Sequence, residues 1–327
     1  MLFRSELRRT GEDDPDFGRV PTGRGLPERS RLRGGSAPGP DAPRRSPEVD
    51  SSNEVFVPPF LGSRVVKGLS IDEISTFVNE TALFRNQWQF RPIAAEDGTG
   101  TDTVENDDDF KDRIRPVFRE QLALAKEGDL LVPQVVYGYF PVHADGHDLI
   151  VWSDDDRRQE RTRFAFPRQD ESPHLCIADF FRPVESGETD YAAFHIVTMG
   201  SPVSEKAAEL FAANKYDDYM KLHGIGVEMA EALAEYWHHR IRSEWGFVDE
   251  DGPTVAGLFR QQYRGGRYSW GYPACPDLED NARVAEILQA GRIGIEVNED
   301  TGWQYQPEQT TSAIICHHPK AKYFVAR

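Results

Sequence analysis

Arg267-Tyr268-Ser269-Trp270-Gly271-Tyr272-Pro273-Ala274-Cys275-Pro276 is a segment that suits neither a helix nor an ordinary strand. Pro273 and Pro276 fix φ, lack backbone donors and push the residue before each toward extended geometry. Gly271 permits a positive φ or a close backbone approach to something bound. Arg267 offers a planar fork of donors that matches a carboxylate. With three aromatic rings beside that fork, the loop suits a zwitterionic, partly aromatic small molecule. The competing reading is a stiff connection whose rings pack on the core.

Working outward from this loop, the flanking sequence alternates strand and helix signals without a regular βαβ rhythm. Residues 132–140 and 148–152 are β-branched and aromatic, and Ala144-Asp145-Gly146-His147 between them predicts a hairpin turn. Arg161 to Phe166 alternates with period two and predicts the next antiparallel strand, and Tyr191 to Thr198 predicts another. A long helix is expected from about Ser204 to Trp245, broken near Gly224 and Gly226. Leu222, Ile225, Met229, Leu233 and Trp237 recur every three or four residues and mark its buried stripe. Consecutive hairpin strands with segregated helices predict an α+β fold around a mostly antiparallel sheet.

The composition sets bounds. The chain has 327 residues, 39% of them hydrophobic, which supports one sizeable core with a tail. A net charge of −17 argues against nucleic acid or an anionic membrane as partner, since those surfaces attract Lys and Arg. No run of 18 apolar residues predicts a transmembrane helix. Cys176, Cys275 and Cys316 are odd in number and widely spaced, which fits reduced thiols in a cytoplasm. Residues 1–52 are expected to form a disordered Arg/Pro/Gly-rich tail. Ten arginines, seven glycines and seven prolines in the first fifty residues leave too little apolar area to offset about 1–2 kcal/mol of backbone entropy per ordered residue. The folded domain is expected over residues 53–327.

The pattern Arg-x-x-x-Gly-Tyr-Pro-Ala-Cys-Pro, formed by Arg267 and residues 271–276, resembles the signature of the activation domain of cobalamin-dependent methionine synthase. The likeness extends in the family's order over residues 53–327. Val57-Pro58-Pro59-Phe60 with Thr81 to Trp88 resembles the domain's entry, Tyr137 to Pro141 its central strand, and Ile177-Ala178-Asp179-Phe180 a following strand. Asp217-Asp218-Tyr219 leading into Glu231 to Tyr236 resembles its long helix. His318-Pro319 with Ala321-Lys322-Tyr323-Phe324 resembles its closing strand.

The resemblance implies a C-shaped single domain with a twisted, mostly antiparallel β-sheet and flanking helices. It also implies that the chain binds S-adenosyl-L-methionine as methyl donor and supports reductive methylation of cobalamin. That cofactor would be carried by the cobalamin-binding module of methionine synthase, with a flavodoxin-type electron donor as further partner. The chain would then be a methyltransferase-type component, incomplete on its own and either a separately encoded subunit, the favoured reading, or a fragment of a longer polypeptide. Alternatives are a non-catalytic regulatory module that binds the same ligand, or a reactivation partner of another corrinoid methyltransferase.

The ligand's chemistry assigns roles to residues. Its carboxylate calls for Arg267. Its ammonium and sulfonium call for carboxylates or ring faces, for which Tyr272, Glu231 and Glu235 are candidates. Gly271 gives the loop its approach, and Ile315 and Cys316 are expected to hold adenine through strand-edge backbone groups. In the family an acid near the entry also contacts the ligand. Asn79 stands at that position, and Gln261 stands where a second acid precedes the signature arginine; Glu231 is retained. No general acid or base is expected, because the thioether is a good leaving group.

Other motifs carry little. Gly224-Ile225-Gly226 lacks the third glycine of a dinucleotide fingerprint and reads as a helix break. Asp145-Gly146-His147 resembles the start of a cobalamin-ligating Asp-x-His-x-x-Gly element, but Ile150 stands where its glycine belongs, so turn chemistry is expected. The adjacent pairs His238-His239 and His317-His318 point to different faces and lack the spacing of a zinc site. Asp107-Asp108-Asp109 reads as solvated loop charge.

Overall fold

The structure, a computed structural model, describes residues 43–96, 102–154, 156 and 159–326. Its centre is a seven-stranded sheet made from β1 (Gly62–Lys67), β4 (Gln134–Asp145), β5 (Asp148–Trp152), β6 (Glu160–Ala165), β7 (Asp190–Thr198), β8 (Gly266–Tyr268) and β9 (Thr310–Cys316). The order is β6-β5-β4-β7-β9-β8, with β1 paired to β4, and the pairings are antiparallel. A separate two-stranded ribbon joins β2 (Ala94–Glu96) to β3 (Asp102–Val104). The α+β class and the antiparallel sheet expected from the sequence are both present. The hairpin between β4 and β5 turns at Gly146, whose φ is +65°.

Period-two alternation sorts the sheet's side chains onto two covered faces. Val136, Phe140, Val142, Phe194 and Ile314 pack with Phe164, Trp270 and the helix Asp280–Leu288 on one face. Val135, Tyr137, Tyr139, Ala193, Val197 and Ile315 pack on the other against Leu222, Ile225, Met229, Leu233 and Trp237. The stripe read from the sequence is therefore the face the long helix buries.

The helical region differs from expectation in where it breaks. Ser201–Ala212 and Tyr216–Trp245 are separate helices, interrupted at Asn214 with φ +60°, and no break occurs at Gly224 or Gly226. Those glycines make room for neighbours. A Cβ at Gly224 would lie 2.8 Å from the Trp88 indole nitrogen, and one at Gly226 would lie 2.9 Å from Val203 Cγ2. Asp217 and Asp218 in the first turn and Arg242 in the last complement the helix dipole, and Gly246 closes it in the left-handed region.

Three further expectations are corrected. Asp107, Asp108 and Asp109 open a 21-residue helix, Asp107–Glu127, whose N-terminus Asn106 caps by accepting from the Asp109 N–H at 2.9 Å. Ile177–Phe180 is a 3₁₀ turn, not a strand, because Asp179 must reach the buried guanidinium of Arg168 at 2.5 and 2.8 Å. The last sheet strand is β9; residues 318–324 follow it as irregular chain, with Pro319 unable to donate to a ladder.

The tail boundary also moves. Residues 1–42 lie outside the described residues. Residues 43–52 are docked on the body. Val49 is buried in the core, the Ser46 N–H donates to Asp179 Oδ2 at 3.2 Å, and Arg45 donates to Phe181 O at 3.0 Å. His318 Nε2 lies 3.0 Å from Asp50 O. Composition counted the charges and prolines of this stretch but not the buried Asp179 that receives it.

Candidate functional site

The signature loop leaves the sheet from the edge strand β8, which carries Arg267 toward the long helix. Two of its three rings are core. Tyr268 stacks on Phe180 with centroids 6.1 Å apart and donates its hydroxyl to Lys322 O at 2.9 Å. Trp270 packs on Phe194 and Phe164 and donates its indole N–H to Asp280 Oδ2 at 3.3 Å. Burial pushes the Asp280 carboxyl up to about 6 against the pull of Arg283. Tyr272 is the open ring, 55% exposed. Between these rings the chain turns tightly. The Gly271 N–H donates to Cys275 O and the Cys275 N–H to Tyr272 O, both at 2.9 Å. Gly271 has φ +86°, a conformation that side chains with a Cβ rarely adopt.

Arg267 Nη2 donates to Glu235 Oε2 at 3.2 Å, with the two side chains 17% and 9% exposed. Burial opposes the guanidinium's charge, but Glu235 and then Glu231 outweigh it and hold its pKa above the usual value. Glu228, Glu231 and Glu235 follow at helical spacings of three and four, so they share one side of the long helix. Glu231 is exposed. Glu235 Oε1 is buried and has no hydrogen-bond partner among the described residues. Glu228 is 6% exposed and receives one long bond, 3.4 Å, from Gln87 Nε2. Burial, reinforced by Glu231 and opposed by Gln87, raises its carboxyl to about 7. The Tyr272 phenol is raised by burial and then by Glu231, with Arg267 opposing and Tyr323 and Glu228 adding smaller effects. The Arg267–Glu235 bond and the shared helix side of Glu231 and Glu235 bring the guanidinium, these carboxylates and the Tyr272 loop close together.

Behind Arg267 lie His195 on β7 and His238 on the long helix, both fully buried with neither ring nitrogen hydrogen-bonded among the described residues. Burial and the nearby arginines hold both far below the usual histidine range, so they are neutral at physiological pH. His238 meets the Tyr263 ring edge-on at 4.9 Å, and Arg242 stacks on that ring at 4.3 Å while pairing with Asp251 at 2.7 Å.

Of the residues expected from the sequence, the structure brings together Arg267, Gly271, Tyr272 and Glu231, with Glu235 beneath them. Asn79 is exposed, and its side-chain oxygen accepts from the Ala82 N–H at 3.2 Å, where the π-helical turn Ala82–Gln87 begins. The far end of that turn, Gln87, is what reaches the site. Ile315 does not offer a free strand edge, and Cys316 is paired on one side only. Ile315 is paired to Ala193 on one side and Arg267 on the other, and Cys316 is paired to Gly266 and 1% exposed. Burial also pushes the Cys316 thiol up to about 12. Gln261 acts from outside: its Oε1 accepts from the Tyr323 N–H at 2.8 Å and fixes the C-terminal segment near Tyr272. Sequence reading did not single out Glu228 or Tyr323. Glu228's signal was its position three residues before Glu231.

A model of the family described as "Vitamin B12 dependent methionine synthase, activation domain" matches residues 70–327. The methionine synthase of Mycobacterium tuberculosis (strain ATCC 25618 / H37Rv) is 44% identical over 297 residues, covering 87% of this chain and 24% of that protein. The methionine synthase of Mycobacterium leprae (strain TN) is 42% identical over 296 residues with the same shares. The chain therefore spans about a quarter of the length of these relatives. A crystal structure of the MetH reactivation domain bound to AdoHcy superposes with a TM-score of 0.72 at 25% identity, covering 84% of each chain. With the family model covering most of the chain, and the sheet, long helix and signature loop in place, the chain belongs to the activation-domain family of vitamin B12-dependent methionine synthase.

Proposed function

We propose that the opening bounded by Arg267, Gly271, Tyr272, Glu231 and Glu235 binds S-adenosyl-L-methionine, and that the chain presents its sulfonium methyl to cobalamin held by a methionine synthase module. One observation carries this reading: a guanidinium anchored at 3.2 Å to a buried carboxylate, beside an open tyrosine and an exposed second carboxylate. A zwitterion with an added cationic centre needs such a set. Arg267 offers donors for the ligand's carboxylate in the fork geometry that suits it. Glu231 faces the ammonium, and the Tyr272 ring supplies a π face for the sulfonium or the adenine. The AdoHcy-bound structure of a similar domain supports this assignment.

The corrin, when docked, supplies the methyl acceptor and the chemistry of its metal. This chain's residues bind the donor, orient it and shield it. Positioning of this kind lowers the barrier without an acid–base pair. A flavodoxin-type protein is the proposed source of the electron, and a cytoplasmic setting suits three free, buried cysteines.

The experiment has two stages. Isothermal titration should detect S-adenosylmethionine binding to the chain alone. The chain should then convert cob(II)alamin on a cobalamin-bearing methionine synthase fragment to methylcobalamin, given a flavodoxin-type donor and S-adenosylmethionine. A corrin spectrum unchanged with and without the chain would refute the reactivation role.

A further inference from the structure

Glu228, Glu231 and Glu235 place three carboxyl groups along one side of the long helix, with Cβ atoms of successive members about 5–6 Å apart. Among the described residues, Arg267 is the one guanidinium or ammonium that pairs with any of them, and it engages a single oxygen of Glu235. The other Glu235 oxygen is buried without a hydrogen bond among the described residues, with His238 Nδ1 4.0 Å away, and Glu228 is buried with only an amide contact. A buried carboxyl without a countercharge weakens a fold, since ionised groups leave water at a cost. A glutamine would keep the Gln87 contact without that penalty. Glu228 lies one turn before Glu231 on the same side of the helix, so its carboxyl neighbours the exposed carboxylate assigned to the ligand.

We propose that Glu228 is a charge-selecting residue of the ligand site, which with Glu231 and Glu235 makes the opening favour a sulfonium-bearing ligand over the neutral thioether left after methyl transfer. This inference rests on the reading of the site as one for S-adenosylmethionine. A positive ligand supplies the countercharge that Glu228 lacks, and the product, having lost that charge, is held less tightly. The groups that act on Glu228 are the neutral Gln87 of the π-helical turn, bonded at 3.4 Å, and Glu231 on its own helix. Since its carboxyl ionises near 7, selection strengthens as pH rises toward neutrality.

The test is titration of the full chain with S-adenosylmethionine and S-adenosylhomocysteine at pH 6.0 and 7.2. In the wild type, preference for the sulfonium ligand should be roughly two- to sevenfold larger at the higher pH, the upper figure being the limit for one carboxyl that ionises near 7. Glu228→Gln, near-isosteric, should lower the preference at pH 7.2 and remove its pH dependence, and Glu228→Ala should do the same. A Glu228→Gln preference equal to wild type at both pH values overturns the inference while leaving the function intact. Wild type that binds neither ligand overturns both.

Discussion

Arg267, on an edge strand of three residues, and Glu235, in the middle of a 30-residue helix, meet at 3.2 Å with little access to water. The pair ties the signature loop to the long helix and leaves the remaining donors of the guanidinium for a ligand. Its two functions, holding the fold and holding a carboxylate, can be separated by substitution.

Arg267→Ala should reduce affinity for S-adenosylmethionine about ten- to a hundredfold, because a charge-assisted contact contributes about 1.5–3 kcal/mol. It should also lower the thermal midpoint, since Glu235 is left without its cation. Arg267→Lys keeps a charge near Glu235 but loses the fork, so its midpoint should stay near wild type while affinity falls. Titration and thermal scans on the three proteins check this. Equal affinities for wild type and Arg267→Ala would remove the loop from the site.

Docking of residues 43–52 predicts a difference between two truncations. A chain starting at residue 53 loses the burial of Val49, worth about 1.5–3 kcal/mol, and the contacts of Arg45 and Ser46 with the Asp179 turn. Its thermal midpoint should lie several degrees below that of a chain starting at residue 43. Coincident midpoints would mean that this segment contributes no stability.

Gly271→Val places a β-branched residue at φ +86°, and its Cβ would come within 3.0 Å of Leu278 Cδ2. Such strain costs about 1–3 kcal/mol. The loop is joined to the core by Tyr268 and Trp270, so relief should come by moving Tyr272 and its turn. The expected outcome is a far-UV spectrum like wild type with binding of S-adenosylmethionine lost. Retained binding would show that the turn's geometry is not part of the site.

How far the sequence reveals this molecule depends on whether a feature is local. The strands of the β4–β5 hairpin, β6 and β7 are legible because period-two burial is written into adjacent residues. The stripe from Leu222 to Trp237 is legible for the same reason at helical period. Gly224 and Gly226 mislead, because their purpose is contact with Trp88 and Val203, which no local pattern reports. Ile315 is paired on both sides because the strands beside β9 come from elsewhere in the chain, which no local pattern reports. Arg267, Gly271 and Tyr272 stand out through their unusual run. Glu228 does not, since its environment is set by Gln87, 141 residues away.

Glu228 also predicts how stability without ligand should vary with pH. Its folded-state pKa, about 7, lies above the ordinary value of 4.5. Between those values the folded chain keeps a proton that the unfolded chain has released. The group's contribution is therefore fully present below about pH 4.5, declines as pH rises to about 7, and is flat beyond. Asp280, raised to about 6, acts in the same direction, whereas the depressed His195 and His238 stabilise as pH rises through the histidine range. The wild-type curve mixes these effects, but the difference from Glu228→Gln isolates one. Glu228→Gln should gain on wild type by an amount that grows from pH 4.5 to 7 and reaches on the order of 2–3 kcal/mol. Denaturant midpoints at pH 5, 6, 7 and 8 measure that difference. A difference that stays constant across the series would mean that Glu228 ionises normally in the fold, and that the pH-dependent part of its proposed role has no basis.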